Sequence, residues 1–190
     1  MRKLVLMIHT SLDGFVAGPN GELDWFPRGE ENLEFVAGIS LQADAALFGR
    51  KSFQLLDAYW PSAKDQPGAT RGERAYSEWY NGARKFVLSR TLQQEEFSNA
   101  TIIGGDILQA ISNLKREDGR DILIFGSPTI SRYLIPHDLI DRYWIFINPV
   151  IFGKGLTPFP DPDRRIHFRL VTTREFPNGE VAMQFDAPPK

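Results

Sequence analysis

Ile122-Leu123-Ile124-Phe125-Gly126-Ser127-Pro128-Thr129 reads as a strand that runs straight into the start of a helix. Four apolar residues in a row, without polar alternation, suit a strand covered on both faces, as strands of parallel sheets are. Gly126 lets the backbone turn, Ser127 offers a side-chain cap, and Pro128 fits the first helical position, where a missing N–H costs nothing. Ile130, Tyr133 and Leu134 then give the helix an inward face.

The same alternation extends outward on the N-terminal side. Leu4-Val5-Leu6-Met7-Ile8 is a second continuous apolar strand, feeding a loop from Ser11 to Gly21 that wraps glycines around Phe15, Val16 and Ala17. Helices are expected over residues 31–41, 51–59 and 73–81, and strands over 45–48, 85–88 and 101–103. Residues 61–72, rich in Pro and Gly, read as a surface loop. Asp106 is a suitable cap for a helix whose apolar face is Ile107, Leu108, Ile111 and Leu114. After Pro136 the pattern turns to strands, over 142–147, 166–176 and 181–185. The last two flank Asn178-Gly179, a strong hairpin signal. The expected fold is a single α/β domain over 1–190, a three-layer α/β/α arrangement with a mostly parallel sheet and antiparallel C-terminal strands.

Bulk properties narrow the function. A chain of 190 residues with 42% hydrophobic and 24% charged residues suits one globular domain. A formal charge of -2 argues against non-specific nucleic-acid or membrane-surface binding. With no cysteine there is no disulfide and no thiol nucleophile, and His9, His137 and His167 lack the close spacing of a helical metal pair. The apolar run of 4–8 is too short for a signal peptide, so a cytoplasmic location is expected. The 14 Phe, 4 Trp and 5 Tyr exceed what one core needs, so some are expected to line a pocket or an interface.

Three strand ends carry donors of the kind that hold phosphates. Gly126-Ser127-Pro128-Thr129 opens a helix whose free N–H groups and partial positive charge suit a pyrophosphate, or simply begin a helix. Gly49-Arg50-Lys51-Ser52 puts two cations at a helix start, against the macrodipole, which makes sense if an anion binds there. Ser89 and Arg90 follow a third strand. Ligands of open α/β sheets gather beyond the C-terminal ends of strands, so the three together weigh more than each alone. The G-x-G-x-x-G fingerprint is absent, and Gly153-Lys154-Gly155 is not a P-loop.

Taken in order, Ser11-Leu12-Asp13-Gly14-Phe15-Val16-Ala17, Gly49-Arg50-Lys51-Ser52, Leu88-Ser89-Arg90, Phe125-Gly126-Ser127-Pro128-Thr129, Leu139-Ile140-Asp141 and Pro149-Val150-Ile151-Phe152-Gly153-Lys154-Gly155 resemble the dihydrofolate-reductase-like superfamily. The nearest likeness is to the C-terminal reductase domain of riboflavin-biosynthesis enzymes and its stand-alone relatives. The resemblance implies NADPH as cofactor and hydride transfer to a ribosylaminopyrimidine or pterin type of ring. It places Phe15, Val16 and Ala17 at the nicotinamide, Gly49, Arg50, Lys51 and Ser52 on phosphates, Ser89 and Arg90 on the adenosine 2′-phosphate, and Gly126, Ser127, Pro128 and Thr129 on the pyrophosphate.

The sequence departs from that family in two places. Its glycine-rich turn is reduced to Gly126-Ser127-Pro128, which removes one backbone donor. Its substrate-binding acid has no clear counterpart: aligning Trp25 with the family's tryptophan brings Glu30, Glu31 and Glu34 nearby, and Asp13 and Asp24 lie in the same region. Asp13 and Glu34 are the candidate acids. Asp24, Trp25, Phe53 and Trp60 are candidate substrate contacts, although Phe53 also fits a plain core position. Two rivals stay open: a dihydrofolate reductase proper, and a non-catalytic NADP-binding protein. A homodimer is expected through Tyr143-Trp144-Ile145-Phe146-Ile147 and Val150-Ile151-Phe152, taken as strands near a sheet edge, and the loop of 13–21 is expected to close over the nicotinamide.

Overall fold

The computed structural model describes residues 1–25, 29–94, 97–160 and 165–188. Its strands are β1 (Leu4–Ser11), β2 (Ala43–Gly49), β3 (Arg84–Leu88), β4 (Ala100–Ile103), β5 (Asp121–Phe125), β6 (Arg142–Asn148), β7 (Arg169–Glu175) and β8 (Val181–Asp186). They form an eight-stranded sheet in the order β4-β3-β2-β5-β1-β6-β8-β7. The pairs β2–β3, β3–β4 and β1–β6 are parallel, and β6–β8 and β7–β8 are antiparallel. The expected α/β class, mostly parallel with an antiparallel C-terminal end, is what forms. The helices are α1 (Glu30–Ser40), α2 (Arg50–Asp57), α3 (Trp60–Ala63), α4 (Arg71–Gly82), α5 (Ile107–Arg116) and α6 (Pro128–Leu134). Two compact units share these elements: one carries β2–β4 with α1–α5, the other β1, β6–β8 and α6.

In the first unit Phe48 and Val87 pair across β2 and β3, and both are buried with Leu47, Tyr80 and Ile111. Residues 61–72 are more ordered than their composition implies. A helical turn occupies Trp60–Ala63, and α4 begins at Arg71 because Thr70 and Glu73 form a capping box: Glu73 N donates to Thr70 Oγ1 at 3.2 Å, and Thr70 N donates to Glu73 Oε2 at 2.8 Å. Asp106 caps α5 as expected, accepting from Gln109 N at 3.0 Å.

In the second unit β6 lies between β1 and β8, so Tyr143, Trp144 and Phe146 are core residues of the chain itself. That corrects the expectation of an interface at those rings. The outer strand is β7, exposed along all seven residues, with a register shift between Leu170 and Thr172. The hairpin forms where expected, by a different turn. Phe176 N donates to Glu180 O and Gly179 N to Phe176 O, with Gly179 at φ 83. A type I′ two-residue turn at Asn-Gly needs positive φ at both residues; here Gly179 alone has it, after a turn that Pro177 begins. On α6, Ile130, Ser131 and Leu134 are buried while Tyr133 faces out, a correction to its expected inward role.

Candidate active site

The β2–β4 unit presents the cations. Register sets Gly49 beside Leu88, and Leu88 beside Ile103, so the residues that follow leave from one edge of the sheet. Helix α2 starts there with Arg50-Lys51-Ser52. Its cap residue, Gly49, has no side chain to bond the first N–H groups, and its first turn holds no acid. Arg50, Lys51 and Arg90 are exposed and form no ion pair among the described residues. Ser89 N donates to Ile103 O at 3.1 Å, and its hydroxyl oxygen accepts from Thr91 N and Leu92 N at 3.2 and 3.1 Å. The serine therefore shapes the turn that carries Arg90. Gly104 packs tightly beside it: a Cβ there would sit 3.0 Å from Ser89 O.

The other candidates of this unit divide. Glu34 is exposed on α1. Trp60 stands half-buried against Tyr76, with ring centroids 4.3 Å apart, in an aromatic cluster with Tyr59. Phe53 is 0% exposed and packs on Phe48 and Phe97 at 6.0 and 5.4 Å. It is a core residue, so the candidate substrate contact at Phe53 is withdrawn.

The second unit builds a clasp at the end of β1. Leu12 N donates to Val150 O, Val16 N to Leu156 O and Leu156 N to Ala17 O, each at 2.8 or 2.9 Å. Asp13 fastens the same two segments. Its carboxylate accepts from Ser11 Oγ at 2.6 Å, from Gly153 N at 2.7 Å and from Phe152 N at 3.1 Å. The Ser11 bond first, with those from Gly153 and Phe152, holds the Asp13 carboxyl below the ordinary carboxylate range. The structure thus gives Asp13 a fastening role as an ionised acceptor. Within the loop that follows β1, residues 12–17 are stitched to 150–156 by backbone bonds.

Gly155 makes the clasp possible. A Cβ there would meet Ala17 O at 2.3 Å and the Phe15 side chain at 3.1 Å. Gly155→Ala should cost about 1–3 kcal/mol, as overpacking does, and speed amide exchange at Val16 and Leu156. Unchanged exchange would show that the two segments accommodate the methyl.

Trp25 lies half-buried with its ring edge-on to Phe152 at 5.0 Å, and Asp24 is exposed. At the β5–α6 turn Gly126 and Ser127 are both left-handed, at φ 57 and 45. Ser127 stands at the cap position, but its side chain accepts no helix N–H, which corrects the capping expectation. Pro128 occupies the first turn as expected, and Thr129 is exposed.

Two features escaped the sequence. His9 Nδ1 lies 2.8 Å from Glu180 Oε1, whose side chain is fully buried. No local pattern joins residues so far apart. The backbone partners of Asp13 were also missed, although the glycines of Gly153-Lys154-Gly155 were a visible sign of close backbone approach. Among the described residues no group of His, Asp or Glu is arranged to hold a metal ion, and no helix is long and apolar enough to cross a membrane.

The clasp and the cation-bearing strand ends follow the motif order of a known family. The family model for the RibD C-terminal domain matches residues 2–182. The chain belongs to that family. An uncharacterized protein of Bacillus subtilis, YyaP, is 33% identical over 184 residues, covering 97% of this chain and 94% of its own. Among solved structures, the diaminohydroxyphosphoribosylaminopyrimidine deaminase/5-amino-6-(5-phosphoribosylamino)uracil reductase of Thermotoga maritima superposes with a TM-score of 0.68 at 20% identity, over 98% of this chain and 57% of that one. The dihydrofolate reductase of Enterococcus faecalis, solved with NADP(H), gives 0.63 at 15% identity, over 98% of this chain and 97% of its own. The RibD C-terminal fold thus extends through both units, with the sheet order given above.

Proposed function

We propose that the chain is a single NADPH-dependent reductase domain, cytoplasmic, acting on a small heterocyclic ring of the ribosylaminopyrimidine or pterin type. The observation that carries this is the start of α2: a glycine cap, no acid, and Arg50, Lys51 and Arg90 exposed without ion pairs among the described residues. Uncapped N–H groups and unpaired cations at one strand edge fit phosphates. The structural neighbours support the same reading, since those named above include a pyrimidine reductase and a dihydrofolate reductase solved with NADP(H).

When bound, NADPH supplies a hydride. Arg50, Lys51 and Ser52 would hold its phosphates, Ser89 and Arg90 its 2′-phosphate, and Gly126, Ser127, Pro128 and Thr129 its pyrophosphate. Phe15, Val16 and Ala17 would form the wall of the nicotinamide end, kept in shape by Asp13. Trp25, Trp60 and Asp24 are the proposed substrate contacts. With Asp13 committed as an acceptor, Glu34 is the proposed proton donor. One observation favours the non-catalytic alternative: neither Asp13 nor Glu34 is buried against an apolar wall, where a carboxyl keeps its proton near neutral pH and so has one to donate. Stopped-flow oxidation of bound NADPH across pterins, folates and ribosylaminopyrimidines decides among them. Turnover that falls in Glu34→Gln supports the proposal; NADPH binding with no oxidation by any ring supports the alternative.

We also propose a homodimer through the C-terminal strands, at the outer strand β7; the exposure of Leu170 at 52% and Val171 at 41% supports this. Light scattering at roughly tens of micromolar should give twice the chain mass, and Leu170→Lys should return it to one chain. A monomer in the wild type excludes the dimer.

A further inference from the structure

We infer that His9, Glu180 and Asn148 are positioning residues that fix the end of β1, so that the clasp it carries keeps its shape against the nicotinamide. This rests on the proposed reading that Phe15, Val16 and Ala17 meet that ring.

Three successive residues of β1 are gripped one after another. His9 is held through Nδ1 by Glu180 at 2.8 Å, and its ring lies flat on Phe146 with centroids 4.4 Å apart and planes 16° apart. The carbonyl of Thr10 accepts from Asn148 Nδ2 at 3.2 Å, and the same amide reaches Phe146 O at 3.3 Å. The hydroxyl of Ser11 donates to Asp13, which in turn holds Phe152 and Gly153. Register explains the sequence of grips: His9 lies opposite Phe146, and Ser11 opposite Asn148. Glu180 is itself fixed by the hairpin turn, its carbonyl accepting from Phe176 N and its own N–H donating to Asn178 Oδ1.

A fully buried carboxylate beside an imidazole is a costly way to fill that space. Well-packed apolar residues of similar volume are often as stabilising or more so. What the polar groups supply instead is direction: the Asn148 and Ser11 hydrogen bonds fix distance and angle, and the 2.8 Å His9–Glu180 contact fixes the ring's place, where apolar packing would fix only volume. Direction is supplied at the last residues before the clasp, where a small shift of β1 would move Phe15 and Asp13 together.

The test needs no substrate. Affinities for NADPH and for adenosine 2′,5′-bisphosphate, which lacks the nicotinamide half, are measured for the wild type and for the double variant His9→Leu/Glu180→Met. Thermal unfolding and amide exchange of residues 11–17 and 150–157 accompany them. The expected variant melts at or above the wild type and binds the bisphosphate equally well. It binds NADPH about tenfold more weakly, with faster exchange at Phe15, Phe152 and Gly153. A pair that only stabilises the fold would shift the melting temperature and leave both the affinity ratio and the exchange unchanged; that result overturns the inference. If the double variant does not fold, Asn148→Ala leaves the buried pair in place and is judged by the same two outcomes. Should the wild type bind neither compound, the cofactor proposal fails, and the exchange measurements alone still decide whether these residues hold the clasp.

Discussion

Replacing Arg90 with alanine should weaken NADPH binding about 10- to 100-fold and leave NADH binding nearly unchanged. A hydrogen bond to a charged group contributes roughly 1.5–3 kcal/mol, which converts to that range. A guanidinium offers a planar fork of donors that matches phosphate oxygens two at a time and stays charged at every working pH. Arg90 is exposed, without an ion pair among the described residues, on a turn that Ser89 shapes through Thr91 N and Leu92 N. Its side chain is thus available while its backbone is held. NADH lacks the 2′-phosphate, so it has nothing to lose at this position. Arg50→Ala provides the contrast: a residue on the shared phosphates should weaken both cofactors together. Titration of the three proteins with both cofactors checks the assignment. An unchanged NADPH/NADH ratio in Arg90→Ala would remove it.

Phe53→Ala should cost about 3–5 kcal/mol of stability, the usual range for emptying a buried aromatic site. The ring is fully buried between Phe48 of β2 and Phe97, so its removal leaves a cavity that two large neighbours cannot close. For a chain of this size that corresponds to a fall in melting temperature of roughly 6–20 °C. Phe53→Leu, which keeps most of the volume, should cost much less. Denaturant unfolding separates the outcomes: the midpoint should drop with an unchanged slope. A weaker affinity for substrate with unaltered stability would instead restore Phe53 to the pocket wall.

These two residues show how far the sequence could be read. Arg90 stands at a strand end, and strand ends are legible because Leu4–Ile8, Phe86–Leu88 and Ile122–Phe125 are local apolar runs. Phe53 shares a turn of helix with Ser52, and nothing in the spacing says which of the two faces inward. The helix α4 begins two residues before its expected start because Thr70 and Glu73 pair as a capping box. Strand order is a tertiary property, so the rings of β6 looked like an edge when they form a core. The clasp was the least legible feature. Its bonds join Leu12 to Val150 and Val16 to Leu156, and no window along the chain contains both partners.

The pairing of β1 with β6 also sets a timetable for the newborn chain. Leu6 meets Tyr143, 137 residues later. Contacts of such long separation form slowly, because the intervening loop must close before any contact rewards it. During synthesis Leu4–Ile8 leaves the ribosome early, as a bare apolar segment of strong β character, and waits while the whole of β2–β4 is made. The β2–β4 unit can condense from its own nearly continuous stretch in that interval, whereas β1 cannot. Until β5 at 121–125 and β6 at 142–148 arrive on its two sides, the first strand stays open to aggregation and to capture by a chaperone.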